Sequence, residues 1–412
     1  MKPIIALIAL CLLVLSPIQN RGSDWPQFLG PNRDGEYRGK PIREDWPSQG
    51  PPIVWKERIG HGFSAPVVSG GRLILFHRKG NQEIVQCWKA SDGTPIWSHT
   101  APTRYRDDFG FDDGPRSTPA IADGRIYTMG AEGLVNCLDL ASGKEIWSMD
   151  CKTTFQAPKG FFGMVCSPLV EGDFVILNIG GGNGAGIVAF DRKTGALAWK
   201  TTDHGASYSS PVATTIRDRR YGLVITQTGL VGLEPASGKV VFDYPWAPPM
   251  NASVSAATPL VIGDQVFISA SYQTGAALLS LGGDQPRQIW ASDEALSNHY
   301  ATSVHHNGFL YGFHGRQEHG PSLRCVELGT GKVQWSDSSL KAGTVTLAGD
   351  SLLLMLEDGR LILAPASPER FRITAQAQVL PMEVRAHPAL ADGLFYARSK
   401  QDLVCVQLTF PD

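Results

Sequence analysis

The chain has 412 residues, with 45 Gly, 28 Pro and only 18% charged residues, a mixture that suits many short strands joined by tight turns and argues for an all-β fold. Lys plus Arg (37) nearly balance Asp plus Glu (39), so no overall basic field exists to gather nucleic acid or anionic lipid. Nucleic-acid binding is set aside on that ground.

The N-terminus MKPIIALIALCLLVLSPIQN carries Lys2, then an apolar run from Ile4 to Leu15, then Ser16 and Pro17. This is the layout of a secretory signal, and the run falls short of the roughly 20 residues a membrane helix needs. Residues 1–23 are expected to be a cleaved signal peptide that sends the protein to the periplasm or cell envelope. Cys11 follows Leu10 inside the apolar run, so lipidation is not expected. Residues 24–50 read as an extended segment, and 51–410 as one repetitive domain.

From Cys87 onward one spelling returns: CWKASDGTPIW (87–97), CLDLASGKEIW (137–147), AFDRKTGALAW (189–199), GLEPASGKVVF (232–242) and CVELGTGKVQW (325–335). A looser copy ends at Trp290 and a decayed one near Phe371. Each follows a second signature, Ser or Thr before Pro, then an apolar run and Gly, as in STPAIADGRIY (117–127). The unit recurs roughly every 40–50 residues, the period of propeller blades. Within it, Asp123-Gly124 is a two-residue hairpin signal and the Gly of Ala141-Ser142-Gly143-Lys144 supplies positive φ, giving four short antiparallel strands. The closing Trp (Trp97, Trp147, Trp199, Trp290, Trp335) is expected to dock on the Gly-Lys turn of the next blade. Cys87, Cys137, Cys325 and Cys405 share one position of the unit and read as small core residues. Cys151 and Cys166 are then the only plausible disulfide pair, and whether they pair stays open.

The last unit, AHPALADGLFYARSKQDLVCVQL, lacks a closing Trp, while PPIVWKERIG (51–60) holds an isolated strand with Trp55. The two complete one another. The predicted fold is therefore an eight-bladed β-propeller with tryptophan-docking motifs, closed by an N-terminal strand in the last blade, leaving no free sheet edge. Such a ring has little need to oligomerise, so a monomer is expected.

The template Ala-x-Asp-x-x-x-Gly-Lys-x-x-Trp, fullest at Ala189, Asp191, Gly195 and Trp199, resembles the docking motif of the pyrroloquinoline quinone (PQQ) repeat propellers. DWPQFLGPNRDG (24–35) is similar to the start of exported PQQ-like propellers of planctomycete-type bacteria. Related folds range from quinoprotein alcohol dehydrogenases to the propeller subunit of the outer-membrane barrel-assembly machine. The resemblance implies either an enzyme carrying PQQ with Ca²⁺ or a scaffold without a cofactor.

Residues just before each innermost strand should line the mouth of a central funnel, where small-molecule sites sit on such scaffolds. The candidates are His61, Arg116, Tyr208, Asn251, Asn298, His299, Tyr300, Arg385 and His387. The hydroxyls among their neighbours equally serve to satisfy backbone groups around an axial channel. DDFGFDDGPRSTP (107–119) matches no calcium loop and reads as a solvated loop folding its two Phe onto the propeller. FQAPKGFFGM (155–164) reads as a lid-like loop. NIGGGNGAG (178–186) resumes a strand instead of opening a helix, so it is a hairpin tip and no phosphate cradle.

No adjacent Cys pair, haem attachment motif, Gly-x-Ser-x-Gly elbow or His-Glu-x-x-His helix occurs. No catalytic residue and no metal site are assigned. The reading is a binding or scaffolding propeller whose funnel-face loops meet a protein, peptide or glycan partner, without cofactor; the alternative is a PQQ-dependent dehydrogenase with a degenerate site.

Overall fold

The computed structural model describes residues 24–249, 254–283 and 285–409. The expected signal peptide and the candidate Asn251 lie outside the described residues. Eight sheets form eight blades, beginning at residues 67, 120, 169, 212, 260, 304, 343 and 389. In blade two, for example, Ala120–Ala122, Arg125–Met129, Leu134–Asp139 and Glu145–Asp150 pair antiparallel in that order from the axis outward. Blade eight takes its outermost strand from upstream: Ile53–Arg58 pairs with Asp402–Gln407, and Trp55 sits opposite Cys405. No helix among the described residues is long and apolar enough to cross a membrane.

The repeated spelling has a local cause. Asp139 accepts the Ser142 N–H at 2.8 Å on its side chain and the Gly143 N–H at 2.8 Å on its carbonyl, and Gly143 turns back with φ +70°. Asp191 does the same with Thr194 and Gly195. A short acceptor and a residue free to adopt positive φ are what this turn requires. Asp123 and Gly124 both have positive φ, as a two-residue hairpin turn demands. The repeated cysteines are fully buried opposite a tryptophan, Cys87 facing Trp97 and Cys137 facing Trp147. Cys151 and Cys166 are both buried and free.

Each indole joins its blade to the next. The Trp97 ring covers Gly143 and donates to the Leu140 carbonyl at 3.1 Å; Trp147 covers Gly195 and donates to Arg192; Trp199 covers Gly238 and donates to Pro235; Trp290 covers Gly331 and donates to Leu328. The stretch near Phe371 departs from the expected pattern. Phe371 does not occupy the docking position of blade seven; it lies in the turn that receives Trp335, with ring centroids 5.6 Å apart, and the outer strand follows at Ala375–Gln378. Blade seven thus brings small alanines where its neighbours bring an indole.

The segment before residue 51 fills that gap. Ile42 and Trp46 pack on the core beside Ala375 and Ala377, and the Arg43 N–H donates to the Leu408 carbonyl at 2.6 Å. Leu408 stands in blade eight where Leu140 and Leu328, which receive indole N–H groups, stand in theirs: each returns its own N–H to the glycine of the preceding hairpin. Upstream, the same segment crosses the axis. Trp25 bridges Val68 of blade one, the Pro26 carbonyl accepts from Ile121 of blade two, and Glu36–Tyr37 runs parallel to Leu347 and Ala348 of blade seven. Arg33 is buried between blades three and four, donating to the carbonyls of Pro168 and, at 2.9 Å, Pro211.

Candidate funnel-face site

The hydroxyls that precede the innermost strands stitch neighbouring blades together. The Ala65 N–H donates to Thr118 Oγ1, the Thr118 N–H to Ser167 Oγ, the Ser167 N–H to Ser210 Oγ and the Thr258 N–H to Thr302 Oγ1, each at 3.0 Å. They are engaged in the ring itself. In blade eight an imidazole replaces the hydroxyl, and His387 Nε2 accepts the Thr302 N–H at 3.4 Å.

Above this ring lies a cavity of about 170 Å³. Six of the sequence candidates line it: Arg116, Tyr208, His299, Tyr300, Arg385 and His387. Two do not. His61 is displaced to the side, where its ring approaches Asp112 at 3.5 Å, because its backbone is bridged to Arg78 of blade one. Asn298 is buried, donating to the Phe313 carbonyl at 2.9 Å and accepting from Ser303. Its amide serves the backbone of blade six.

The walls are largely aromatic. Arg116 lies 5.4 Å from the Phe63 ring and 5.2 Å from that of Phe162, pairs with Asp107 and donates to the Phe162 carbonyl at 3.1 Å. Arg385 lies 5.5 Å from Phe63 and 5.4 Å from Phe111, with its Nε 3.0 Å from Glu357. Tyr300 donates to that same carboxylate at 3.0 Å. Burial raises the pKa of Glu357 and holds the Tyr300 phenol well above its usual value. Tyr272 and His299 share a hydrogen bond at 3.2 Å. Desolvation pushes His299 down to about 4 and His387 to about 3, so both rings are neutral near pH 7.

Several of these residues carry no local signal in the sequence. Phe28 comes from the N-terminal segment and meets His387 edge-on at 5.3 Å, closing the cavity from below. Tyr272, Gln317 and Glu318 follow strands of blades five and six and not the innermost-strand signature. The loop 107–119 also differs from expectation: Asp107 and Asp112 are buried, whereas Phe109 and Phe111 are 57% and 41% exposed. The carboxylates are held inside by Arg116 and by the loop's own N–H groups, which leaves the rings outside, stacked with Phe161 and Phe162. The glycine-rich 178–186 stretch is a hairpin end between Phe174–Asn178 and Ile187–Asp191.

The donor set does not fit a cation-bound quinone. Among the described residues, no three His, Cys, Asp or Glu side chains converge. The acidic residue lining the cavity, Glu318, lies 3.5 Å from Arg316, and Glu357 behind the wall is committed to Tyr300 and Arg385. A hard divalent cation requires several free oxygen ligands at one point.

The chain is 22% identical over 323 residues to the quinoprotein ethanol dehydrogenase of Pseudomonas aeruginosa, covering 67% of this chain and 48% of that protein. It is 22% identical over 265 residues to the outer membrane protein assembly factor BamB of Moranella endobia, covering 60% of this chain and 63% of that one. The chain thus spans about half the length of the dehydrogenase it matches. The crystal structure of BamB from Moraxella catarrhalis shares the fold, with a TM-score of 0.65 and 16% identity over 87% of this chain and 99% of that one. The family described as outer membrane protein assembly factor BamB matches residues 81–336, more than half of the sequence, and the chain belongs to that family.

Proposed function

We propose that this chain is an exported, monomeric binding or scaffolding propeller that presents its funnel face to a protein, peptide or glycan partner. The observation that carries the reading is the cavity itself. It is walled by Phe63, Phe111 and Phe162, bordered by two arginines and closed below by Phe28. Its polar groups are few and set among apolar rings, as in a site that holds a guest. The exposed rings of Phe109 and Phe161 continue the apolar surface from the cavity onto the rim. The names of the relatives agree with an envelope location, and the apolar run before Ser16 supports export.

Photocrosslinking tests the reading. A benzophenone side chain placed at Phe109 or Phe161 should capture a discrete partner in the cell envelope, whereas one at Ile96, on the outer strand of blade one, should not. Capture from Ile96 alone overturns the funnel-face assignment. Addition of PQQ and Ca²⁺ to the purified protein is expected to give neither a saturable quinone spectrum nor alcohol-dependent dye reduction; both together would establish the dehydrogenase reading in its place.

A further inference from the structure

Resting on the binding reading above, one feature of the cavity names the chemistry of its guest. In the other blade junctions with a hydroxyl link, a Ser or Thr oxygen meets the N–H of the preceding blade. In blade eight His387 takes the hydroxyl's place and reaches past blade seven to the Thr302 N–H of blade six, and an imidazole has a second nitrogen. Nε2 accepts the Thr302 N–H, so in the neutral ring the proton sits on Nδ1. That Nδ1–H is buried in a residue only 4% exposed, lines the cavity and has no partner among the described residues. A buried donor left unmet costs roughly 1–3 kcal/mol.

Two residues upstream, Arg385 enters the same cavity. Its Nε faces Glu357, while its terminal nitrogens have no hydrogen-bond partner among the described residues. Glu357 is shared with Tyr300 and its pKa is raised by burial, so it neutralises Arg385 less fully than a solvated carboxylate would. The second arginine is different: Arg116 is already taken by Asp107, Tyr105 and the Phe162 carbonyl. An open guanidinium fork and the unmet Nδ1–H of His387, lining the same cavity, suit one carboxylate, because a planar oxyanion can accept from both. The rings of Phe28, Phe63 and Phe111 around these donors exclude water and offer flat apolar contact.

We propose that the funnel cavity is a site for a single carboxylate attached to a flat apolar group, with the carboxylate held by the terminal nitrogens of Arg385 and the Nδ1–H of His387. The acid comes either as a free small molecule or as the chain terminus of a peptide.

Calorimetric titration of the purified protein distinguishes the sources and tests the chemistry. The probes are 3-phenylpropanoate, its amide 3-phenylpropanamide and N-acetylphenylalanine. At least one acid should bind, and the amide should bind about tenfold more weakly or less well still, the loss expected for one charge-assisted contact. Preference for N-acetylphenylalanine identifies a peptide terminus, and preference for 3-phenylpropanoate a free acid. Arg385→Gln and His387→Phe should each weaken the acid about tenfold while leaving the weak amide binding unchanged. The acid-to-amide comparison uses the unaltered protein, so it stands even where a variant melts early. No acid binding at millimolar concentration, equal binding of acid and amide, or undiminished affinity in both folded variants overturns the proposal. If rim crosslinking to a partner persists while no acid binds, this inference fails alone and the binding reading stands.

Discussion

The indole of Trp55, on the strand that completes blade eight, lies against Gly93 of blade one and donates its N–H to the Ala90 carbonyl at 2.9 Å. A Cβ on Gly93 would stand 2.9 Å from the ring. The strand that carries Trp55 closes the ring by pairing with Asp402–Gln407, and the indole then docks the completed blade eight on blade one. Trp55→Ala should lower unfolding free energy by about 3–5 kcal/mol, the usual loss for a buried large aromatic. Ile53→Ala on the same strand, 43% exposed, should shift it by less than about 0.5 kcal/mol. Urea denaturation of the pair checks both; equal effects would mean that the strand, and not the indole, holds the seam.

The docking glycines separate two physical effects that usually travel together. Gly238 has φ +71° and an added Cβ would lie 2.4 Å from the Trp199 ring, while Gly124 has φ +73° and nothing within 4 Å. Gly124→Ala therefore costs only the left-handed backbone strain, about 1–2 kcal/mol. Gly238→Ala adds displacement of the indole, including its 3.0 Å bond to the Pro235 carbonyl, and should cost about 1–3 kcal/mol more. The difference is readable as the gap between two melting curves.

The N-terminal segment is an integral brace. Arg33 is 2% exposed, without a carboxylate partner among the described residues, and its charge is met by carbonyl groups and by Gln27 at 3.0 Å. Burial lowers its pKa to about 10, still charged at neutral pH. Arg33→Ala would leave those carbonyls unmet and should cost about 3–5 kcal/mol. Trp46→Ala should cost less, about 1–3 kcal/mol, since that ring is only partly buried. Hydrogen exchange should then accelerate first in Ala375–Gln378, the strand it covers; uniform acceleration around the ring would contradict a local bracing role.

How much of this was legible in the chain depended on periodicity. Blade number, the docking tryptophans and the closure through Trp55 follow from a repeat whose turns need Asp and Gly at fixed spacing, so local chemistry exposes them. The funnel candidates were legible only insofar as they precede the innermost strand, which found Arg385 and His387 and also gathered His61 and Asn298, whose side chains turn elsewhere. Orientation of a single polar side chain is set by packing with other blades, and no periodic pattern records it. Phe28 and Trp46 were hidden for a related reason. They belong to a non-repeating segment, and the features they answer, His387 for Phe28 and the alanines of blade seven for Trp46, lie more than 300 residues away. That the decayed copy near Phe371 carries its aromatic in the receiving turn was hidden, because an aromatic there and one on the outer strand look alike without the register.

Buried histidines make the protein acid-sensitive. Gly60 N–H donates to His77 Nδ1 at 3.1 Å and His77 Nε2 meets Gln86 at 3.1 Å, a neutral ring whose pKa burial lowers to about 4; His387 is lowered further. The unfolded chain would hold protons on these rings below about pH 6.5, where the folded chain does not. Stability therefore rises with pH across the window from about 4 to 6.5 and is lost as pH falls, by on the order of 3 kcal/mol for each ring. Glu83 acts in the opposite sense. Burial raises it to about 7, so the folded state keeps a proton that the unfolded chain releases above about pH 4.5, and stability falls as pH rises through that range. With two fully buried histidines against one such carboxyl, and His299 and His314 also lowered, the net slope below pH 6.5 should be positive. His77→Gln combined with His387→Phe should flatten it, and Glu83→Gln should steepen it. Denaturation midpoints at pH 4.5, 5.5 and 6.5 decide the matter: a slope unchanged in both variants would show that other groups set the acid limit of the fold.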